Sequence, residues 1–356
     1  KLGVIMFGER LERARKAAGL SLRALGDLVG VSQTAISKYE KDIITPDSKM
    51  IIKLSDVLNV KIEYFFRPKK FTFSLENVEY RKREITQKNL DLINAKILDK
   101  IEKRFELESF FPKLPNDTFK LPSELPKIIY TYEEIDAIAD EVRSFWKLGL
   151  NPIPDVIDVF ESNGIRVFDI DENIDNNFDG LATSIEGKHI IVISKGWPGD
   201  RQRFTLAHEL GHIVLANRLN KSIEMDDEKA ANRFAGAFLL PKYAIKEELG
   251  ESRNFIEIQE LSLLKREYGI SMQGAFIRAY QTNIIEQKQY SILWRMFKSK
   301  GWLEKEPGKQ LPAEKSHMFN QLVFHALAEN FIGESKAAEL LDMSISEFYK
   351  IRMMEN

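Results

Sequence analysis

The stretch from Phe204 to Leu215 contains the pattern H-E-x-x-H at His208, Glu209 and His212. This pattern predicts a helix, because residues four apart then lie on one face and both imidazoles can bind one ion. Glu209, one step round the helix, would face a water at that ion. A β-rich run, residues 190–194, and a Gly- and Pro-containing turn precede the motif. The local order is therefore strand, turn, helix, and we expect Asp200 to cap the helix.

The amino-acid composition restricts the third metal ligand. The chain has no cysteine and five histidines, and a catalytic zinc uses three protein ligands and one open position. A second helix starts with Asp226, Asp227 and Glu228. We expect Glu228 to complete the site, and the two aspartates remain alternatives because acids are common at helix N-termini. Small side chains in this helix would allow it to approach the first one closely: Ala230, Ala231, Ala235 and Gly236.

The strand before the motif suggests where a peptide would bind. Exposed sheet edges bind extended peptides through main-chain hydrogen bonds. We therefore expect a substrate to lie beside the strand formed by Ile190, Ile191, Val192, Ile193 and Ser194.

In residues 7–66, apolar residues recur at helical spacing in short blocks, and this pattern predicts a small bundle of four or five helices. Gly30, Val31 and Ser32 form the break between the second and third helices, which is typical of a helix-turn-helix whose third helix enters the DNA major groove. The outward side chains of that helix are suited to base and phosphate contacts. They are Gln33, Thr34, Ser37 and Lys38.

The charge distribution supports a nucleic-acid partner for this head. Residues 1–70 carry 14 Lys and Arg against 8 Asp and Glu, a net charge of +6. The remaining residues carry 38 against 46, a net charge of −8, out of chain totals of 52 and 54. A basic segment gains free energy by displacing counterions from a polyanion.

Several sequence features resemble the phage Cro/cI-type (XRE) repressor DNA-binding domain. The matching residues are Gly8–Leu11, Arg15, Gly19–Ser21, Val31–Glu40, Pro46 and Leu54. The resemblance covers about 60 residues and implies binding to double-stranded operator DNA. A homodimer is a possible assembly, because the apolar stripe of the connector could form a dimer seam that would suit a palindromic operator.

A second resemblance is to the ImmA/IrrE metallopeptidases. It covers about residues 130–245, and its segments are Asp179–Ala182, Ile190–Ser194, Arg203–His212 and Glu228–Pro241. In that family the glutamate that opens the second helix completes the zinc site, which corresponds to Glu228. Ala230 departs from the family, which often has Glu or Gln there. The resemblance implies cleavage of a repressor protein with Zn²⁺ as the cofactor. Mn²⁺ remains an alternative, because sites made of His and carboxylate donors accept both ions.

The expected fold is a mostly α multidomain protein with an all-α helix-turn-helix head, an α+β zincin-like metallopeptidase body and a helical C-terminal tail. We expect the head at 7–66, a helical connector and Pro-rich linker at 67–127, the peptidase domain at 128–247 and a C-terminal module at 248–356. In the connector, apolar residues from Leu90 to Phe105 form one stripe, which predicts an amphipathic helix packed within the chain or at a dimer seam.

These features lead to one functional hypothesis and one alternative. The hypothesis is a DNA-binding regulator with zinc endopeptidase activity, in which Glu209 is the general base and His208, His212 and Glu228 bind the metal. Its substrate would be a repressor or the protein itself. The alternative is a DNA-binding repressor or antitoxin whose peptidase-like domain senses or binds without cleaving. No run of about 18 apolar residues indicates a membrane helix, so we expect a cytoplasmic location.

Overall fold

A computed structural model describes residues 7–67, 86–114, 117–170, 178–220, 222 and 225–354. Helices dominate these ranges and enclose one three-stranded sheet, so the expectation of a mostly α multidomain protein is confirmed. None of the helices in the described ranges combines the length and apolar character that a membrane crossing needs.

The head has the predicted helix-turn-helix geometry. Its helices are α1 (Phe7–Ala17), α2 (Leu22–Val29), α3 (Gln33–Glu40), α4 (Ser48–Leu58) and a 3-10 helix, Ile62–Phe66. Ser21 and Ser32 cap α2 and α3 with their hydroxyl oxygens. Gly30 ends α2 in the left-handed region with φ of 82°, where glycine carries no Cβ penalty. Ile36 on α3 is fully buried in the head's core.

The connector helix α5 (Gln87–Glu108) packs within the chain. Ile93, Ile97, Ile101 and Phe105 are buried in one cluster with residues of the sheet. The predicted stripe is therefore the inner face of an intrachain helix and is not exposed as a dimer seam. Residues 68–85, between the 3-10 helix of the head and α5, lie outside the described residues.

The opposite side of α5 holds the head. Glu102 accepts hydrogen bonds from the guanidinium groups of both Arg10 and Arg13. Arg67, just after the 3-10 helix, lies 3.5 Å from Asp99 of α5 and donates to Glu339 near the C-terminus at 3.1 Å. One helix thus joins the head to the sheet of the body.

The body contains α6 (Tyr132–Phe145), α7 (Val156–Ser162), β1 (Arg166–Ile170), β2 (Gly180–Ile185), β3 (Lys188–Ser194), α8 (Gly199–Leu215) and α9 (Asp227–Leu239). The strand order is β1-β3-β2, with β1 parallel and β2 antiparallel to β3. Helix α5 covers one face of this sheet, and α7 and α8 pack on β1 and on the other two strands.

The central position of β3 corrects the expected substrate strand. Ile190 pairs with Arg166 on one side and with Thr183 on the other, and this double pairing continues through Ile191, Val192 and Ile193. Ser194 pairs with β1 and donates its amide to the Asp179 carbonyl at 3.2 Å. Because these strand neighbours already use both sides of β3, the prediction that a peptide adds beside Ile190–Ser194 is wrong. In the described part of the chain, β2 is the strand with an unpaired edge that borders the cleft.

The C-terminal helices do not form one separate module. They are α10 (Lys242–Leu249), α11 (Ile258–Tyr268), α12 (Met272–Gln281), α13 (Gln287–Ser299), α14 (Met318–Ala328), α15 (Glu334–Leu340) and α16 (Ile345–Arg352). Helices α10 to α13 share one hydrophobic core with α6, α8 and α9. A boundary at 247/248 therefore cuts through a continuous core, and we propose to place it after α13. Helices α14 to α16 pack separately around the end of α5.

The expected Pro-rich linker is fixed to the body. Leu125 is buried in the main core, and Arg218 donates to the Pro126 carbonyl at 2.7 Å. The next residues pair with the segment that follows α8, where Ile129 donates to the Arg218 carbonyl at 2.7 Å. This segment is therefore packed on the body and does not act as a free spacer. Pro115, also part of the expected linker, lies outside the described residues.

A buried carboxyl lies where α5, α7 and the start of α14 meet. Glu161 accepts a hydrogen bond from Ser316 at 2.8 Å and lies 3.8 Å from the Arg104 guanidinium. Burial raises the pKa of Glu161 to about 7, and Arg104 and the hydrogen bonds only partly oppose that rise.

Candidate metal centre and DNA-binding face

The N-terminus of α8 differs from its prediction. Pro198 occupies the N-cap position and makes no side-chain cap. Asp200, which the sequence suggested as the cap, lies within the first turn, and its Oδ2 is 3.0 Å from the Nζ of the buried Lys265. An ion pair to α11 therefore replaces the expected cap, because the side chain turns toward the body's core.

Three of the predicted ligand side chains meet on the cleft side of α8 and α9. The Nε2 atoms of His208 and His212 are 2.9 Å apart. Oxygens of Glu228 lie 3.5 Å from the first Nε2 and 3.4 Å from the second. Tetrahedral zinc with bonds of about 2.0–2.1 Å places its ligand atoms roughly 3.3 Å apart. The three side chains therefore have the donor chemistry and the spacing that such an ion requires.

The two alternative acids are placed differently. Asp226 caps α9, with its Oδ1 accepting from the Lys229 amide at 2.9 Å. Asp227 lines the cleft, but the group of potential ligands that converges among the described residues is His208, His212 and Glu228.

The close approach of α8 and α9 depends on a glycine. A Cβ built on Gly211 would lie 3.1 Å from the Ala231 Cα, 3.2 Å from its carbonyl oxygen and 3.3 Å from the Phe234 Cβ. Gly211 and Ala231 therefore form the contact that brings Glu228 to the histidine pair. Gly236 faces away from α8, toward Arg278 and Gln281.

Sequence reasoning gave Asn232 no role. Its Oδ1 lies 2.9 Å from the Nδ1 of His208, so it can accept that proton and leave Nε2 as the ligand atom. His208 is completely buried, and this contact fixes the orientation of its ring. The signal in the sequence was the spacing, since Asn232 follows Glu228 by four residues and shares its helix face.

Glu209 lies beside the ligand group in a large cleft. The cleft has a volume of about 2110 Å³ and follows α8 from Asp200 to Ala216. Glu209, His212 and Glu228 all line it. The side chain of Glu228 is 55% exposed, so the site opens directly to the cleft. A carboxylate here can accept a proton from a water that attacks a bound peptide.

The remaining histidines lie apart from this site. His189 packs its ring against Phe119, 4.8 Å between centroids, and burial, together with Arg166, lowers its pKa. His325 packs on Phe111 near the C-terminus. His317 stands at the N-cap of α14.

The recognition helix presents the predicted DNA-contacting residues to solvent. Gln33, Thr34 and Lys38 are exposed and Ser37 is half-buried. The head binds α5 through α1, a different face. The recognition surface thus remains accessible while the head is docked.

A helix-turn-helix head and a histidine-glutamate ligand group in one chain define a DNA-binding regulator with a metallopeptidase-like domain. Comparison with known families agrees with this class. Residues 11–65 match the family described as Helix-turn-helix, and residues 160–280 match the one described as IrrE N-terminal-like domain, a peptidase family.

Curated relatives point the same way. The prophage-derived HTH-type transcriptional regulator YonR of Bacillus subtilis is 33% identical over 73 residues, 20% of this chain and 68% of that protein. The HTH-type transcriptional regulator ImmR of the same organism is 29% identical over 97 residues, 27% of this chain and 65% of ImmR. Repressor protein C2 of Salmonella phage P22 is 33% identical over 89 residues, 25% of this chain and 40% of C2. The chain belongs to the XRE-type helix-turn-helix transcriptional regulators and carries an ImmA/IrrE-like peptidase domain.

Proposed function

We propose that this protein is a metal-dependent endopeptidase that hydrolyses a peptide bond in a protein partner, a repressor, near the DNA to which its head binds. The observation that carries the proposal is the convergence of His208, His212 and Glu228 beside Glu209 in a cleft large enough for a peptide. The DNA contacts would come from α3, with Gln33 and Lys38 reaching bases or phosphates.

The proposed cofactor is Zn²⁺, with Mn²⁺ as the alternative. Imidazole and carboxylate donors accept both ions. When bound, the cation supplies Lewis-acid polarisation of the scissile carbonyl and acidifies water.

The chain's own side chains have separate roles in this reaction. Glu209 accepts a proton from the attacking water and returns it to the leaving amine. Asn232 holds the His208 ring in the orientation that directs Nε2 to the site. A peptide would lie along the edge of β2, since Asp179 and Ala182 border the cleft and that edge can form main-chain hydrogen bonds.

The test is to incubate the metal-loaded protein with repressors encoded beside its gene and to search for a single cut by mass spectrometry. Glu209→Gln should retain metal and DNA binding and lose the cut, because only the proton acceptor is removed. Asp227→Asn is the matched control, since Asp227 is an exposed acid of the same cleft. An unchanged biological output in Glu209→Gln would favour a non-cleaving sensor.

A further inference from the structure

One end of the cleft holds an arginine on the same helix as the histidine ligands. Arg201 lines the cleft and precedes His208 by seven residues, or nearly two full turns of α8. The two side chains therefore project from the same face of the helix. At 1.5 Å per residue they are about 10 Å apart along the helix axis.

Arg201 is held in place by two neighbours. Its guanidinium carbon lies 3.3 Å from the centre of the Trp197 ring. Its Nη2 lies 2.6 Å from Oδ1 of the buried Asp179. Trp197 is itself fixed, because its Nε1 donates to the Phe178 carbonyl at 3.3 Å. An arginine held in this way has already lost much of its rotamer freedom, so a ligand that binds it pays less entropy.

The exposure of Arg201 separates it from the structural arginines of the body. Arg166, Arg233 and Arg278 also form ion pairs with acids, but their side chains are nearly buried. The Arg201 side chain is 37% exposed. A guanidinium has five N–H donors in one plane, and the Asp179 contact uses one of them. The fold thus presents further donors of a fixed cation at the cleft.

Two acids of the same cleft, Asp200 and Glu306, are engaged by other groups. Asp200 pairs with Lys265 at 3.0 Å. Glu306 also contacts Lys265 and accepts the amides of Met272 and Gln273 at the start of α12. Arg201 is therefore an exposed cation that its neighbours hold in place at this end of the described cleft, and a planar guanidinium binds carboxylates in bidentate geometry.

We propose that Arg201 is a specificity-determining residue that binds an acidic side chain of the substrate about three residues from the cleaved bond. The spacing follows from an extended peptide, which rises about 3.3 Å per residue, over the helical distance of about 10 Å. This inference rests on the proposed peptidase function for the identity of the cleft's ligand.

Binding tests the inference without requiring hydrolysis. The probes are fluorescein-labelled decapeptides of Ala and Thr around a central Phe-Leu pair, with one Glu moved through each position, and a matching Gln series. Fluorescence anisotropy is measured on the zinc-loaded Glu209→Gln protein. The Glu peptide should bind about tenfold more tightly than its Gln partner at one position, because a charge-assisted pair replaces a neutral contact.

Substitutions at Arg201 assign the preference. Arg201→Gln should abolish the difference between Glu and Gln peptides, and Arg201→Lys should keep only a small part of it because the bidentate fork is lost. Arg266→Gln, an exposed arginine of α11 that does not line the cleft, should leave it unchanged. Melting curves of each variant verify the fold, and Arg201→Lys retains the positive charge beside Asp179.

The outcomes separate the two proposals. Equal affinity for Glu and Gln peptides, no binding of any peptide, or a preference that persists in Arg201→Gln overturns the role of Arg201. Failure of the wild-type protein, which keeps Glu209, to cut any of the peptides with either Zn²⁺ or Mn²⁺ counts against the peptidase function, and the binding result still decides the role of Arg201.

Discussion

Replacing Gly211 with alanine should weaken metal binding at the proposed site, although Gly211 is not itself one of the ligands. The new Cβ would meet Ala231 at 3.1 and 3.2 Å. Both of those contacts are with backbone atoms, so α9 cannot relieve them by rotating a side chain. Overpacking of this kind costs about 1–3 kcal/mol. The exchange also gains about 0.5–1 kcal/mol, because glycine is unfavourable inside a helix.

Near the middle of these two ranges the net cost is about 1–2 kcal/mol, and the structure can relieve it by moving α9 away from α8. That movement withdraws Glu228 from the histidine pair. When metal binding draws Glu228 back to the histidine pair, it must overcome this cost. The metal affinity therefore falls about 5- to 30-fold, since 1.4 kcal/mol corresponds to a factor of ten. Competition with a chromophoric chelator measures this loss, and thermal unfolding of the metal-free protein measures the strain.

Gly236→Ala, on the facing helix α9, is the matched control. Its Cβ would meet Arg278 and Gln281 at 3.7 and 3.8 Å, which are ordinary contacts. This variant should keep its metal affinity and gain about 0.5–1 kcal/mol of stability. Zinc affinity within twofold of the wild type in Gly211→Ala, or an equal loss in Gly236→Ala, would refute the reasoning.

Three further predictions follow from contacts elsewhere. Asn232→Ala should lower metal affinity about 10- to 100-fold, because the ring of His208 loses its hydrogen-bond partner; isothermal titration with Zn²⁺ measures this, and unchanged affinity would contradict it. Glu102→Gln should loosen the head and increase the radius of gyration in solution scattering, with operator affinity retained, whereas Glu12→Gln, which alters a surface pair, should change neither. The pKa of Glu161 is raised to about 7, so its contribution to stability is complete below pH ~4.5 and declines until the pH passes about 7, by about 3 kcal/mol in all at 1.4 kcal/mol per pKa unit. Urea unfolding across this pH range should show that the free energy of unfolding declines in the wild type and not in Glu161→Gln. The same pH dependence in both proteins would contradict the raised pKa of Glu161.

The local chemistry of both functional regions could be predicted from the sequence. The spacing of His208 and His212 and the caps at Ser21 and Ser32 depend on neighbours within a few residues, so periodicity and capping rules apply directly. The approach of α9 was also predictable, since small side chains are visible in the sequence. Asn232 was missed although its spacing from Glu228 was available.

The errors arose where the outcome depends on distant pairing. A strand's own residues do not show whether it lies at an edge, and β3 became central because β1 and β2, formed by separate segments, pair with its two sides. The stripe of α5 was correctly predicted to pack within the chain, but its partner, the sheet, could not be read from the stripe itself.

The sequence by itself determined the helix-turn-helix head and the common helix face of His208 and His212, because helix faces and caps are set by residues within one or two turns. The tertiary structure alone decided which strand edge borders the cleft, that α5 joins the head to the sheet, and that Arg201 and Trp197 meet Asp179. Those relations arise from long-range packing of apolar faces and ion pairs between distant segments, which no local pattern specifies.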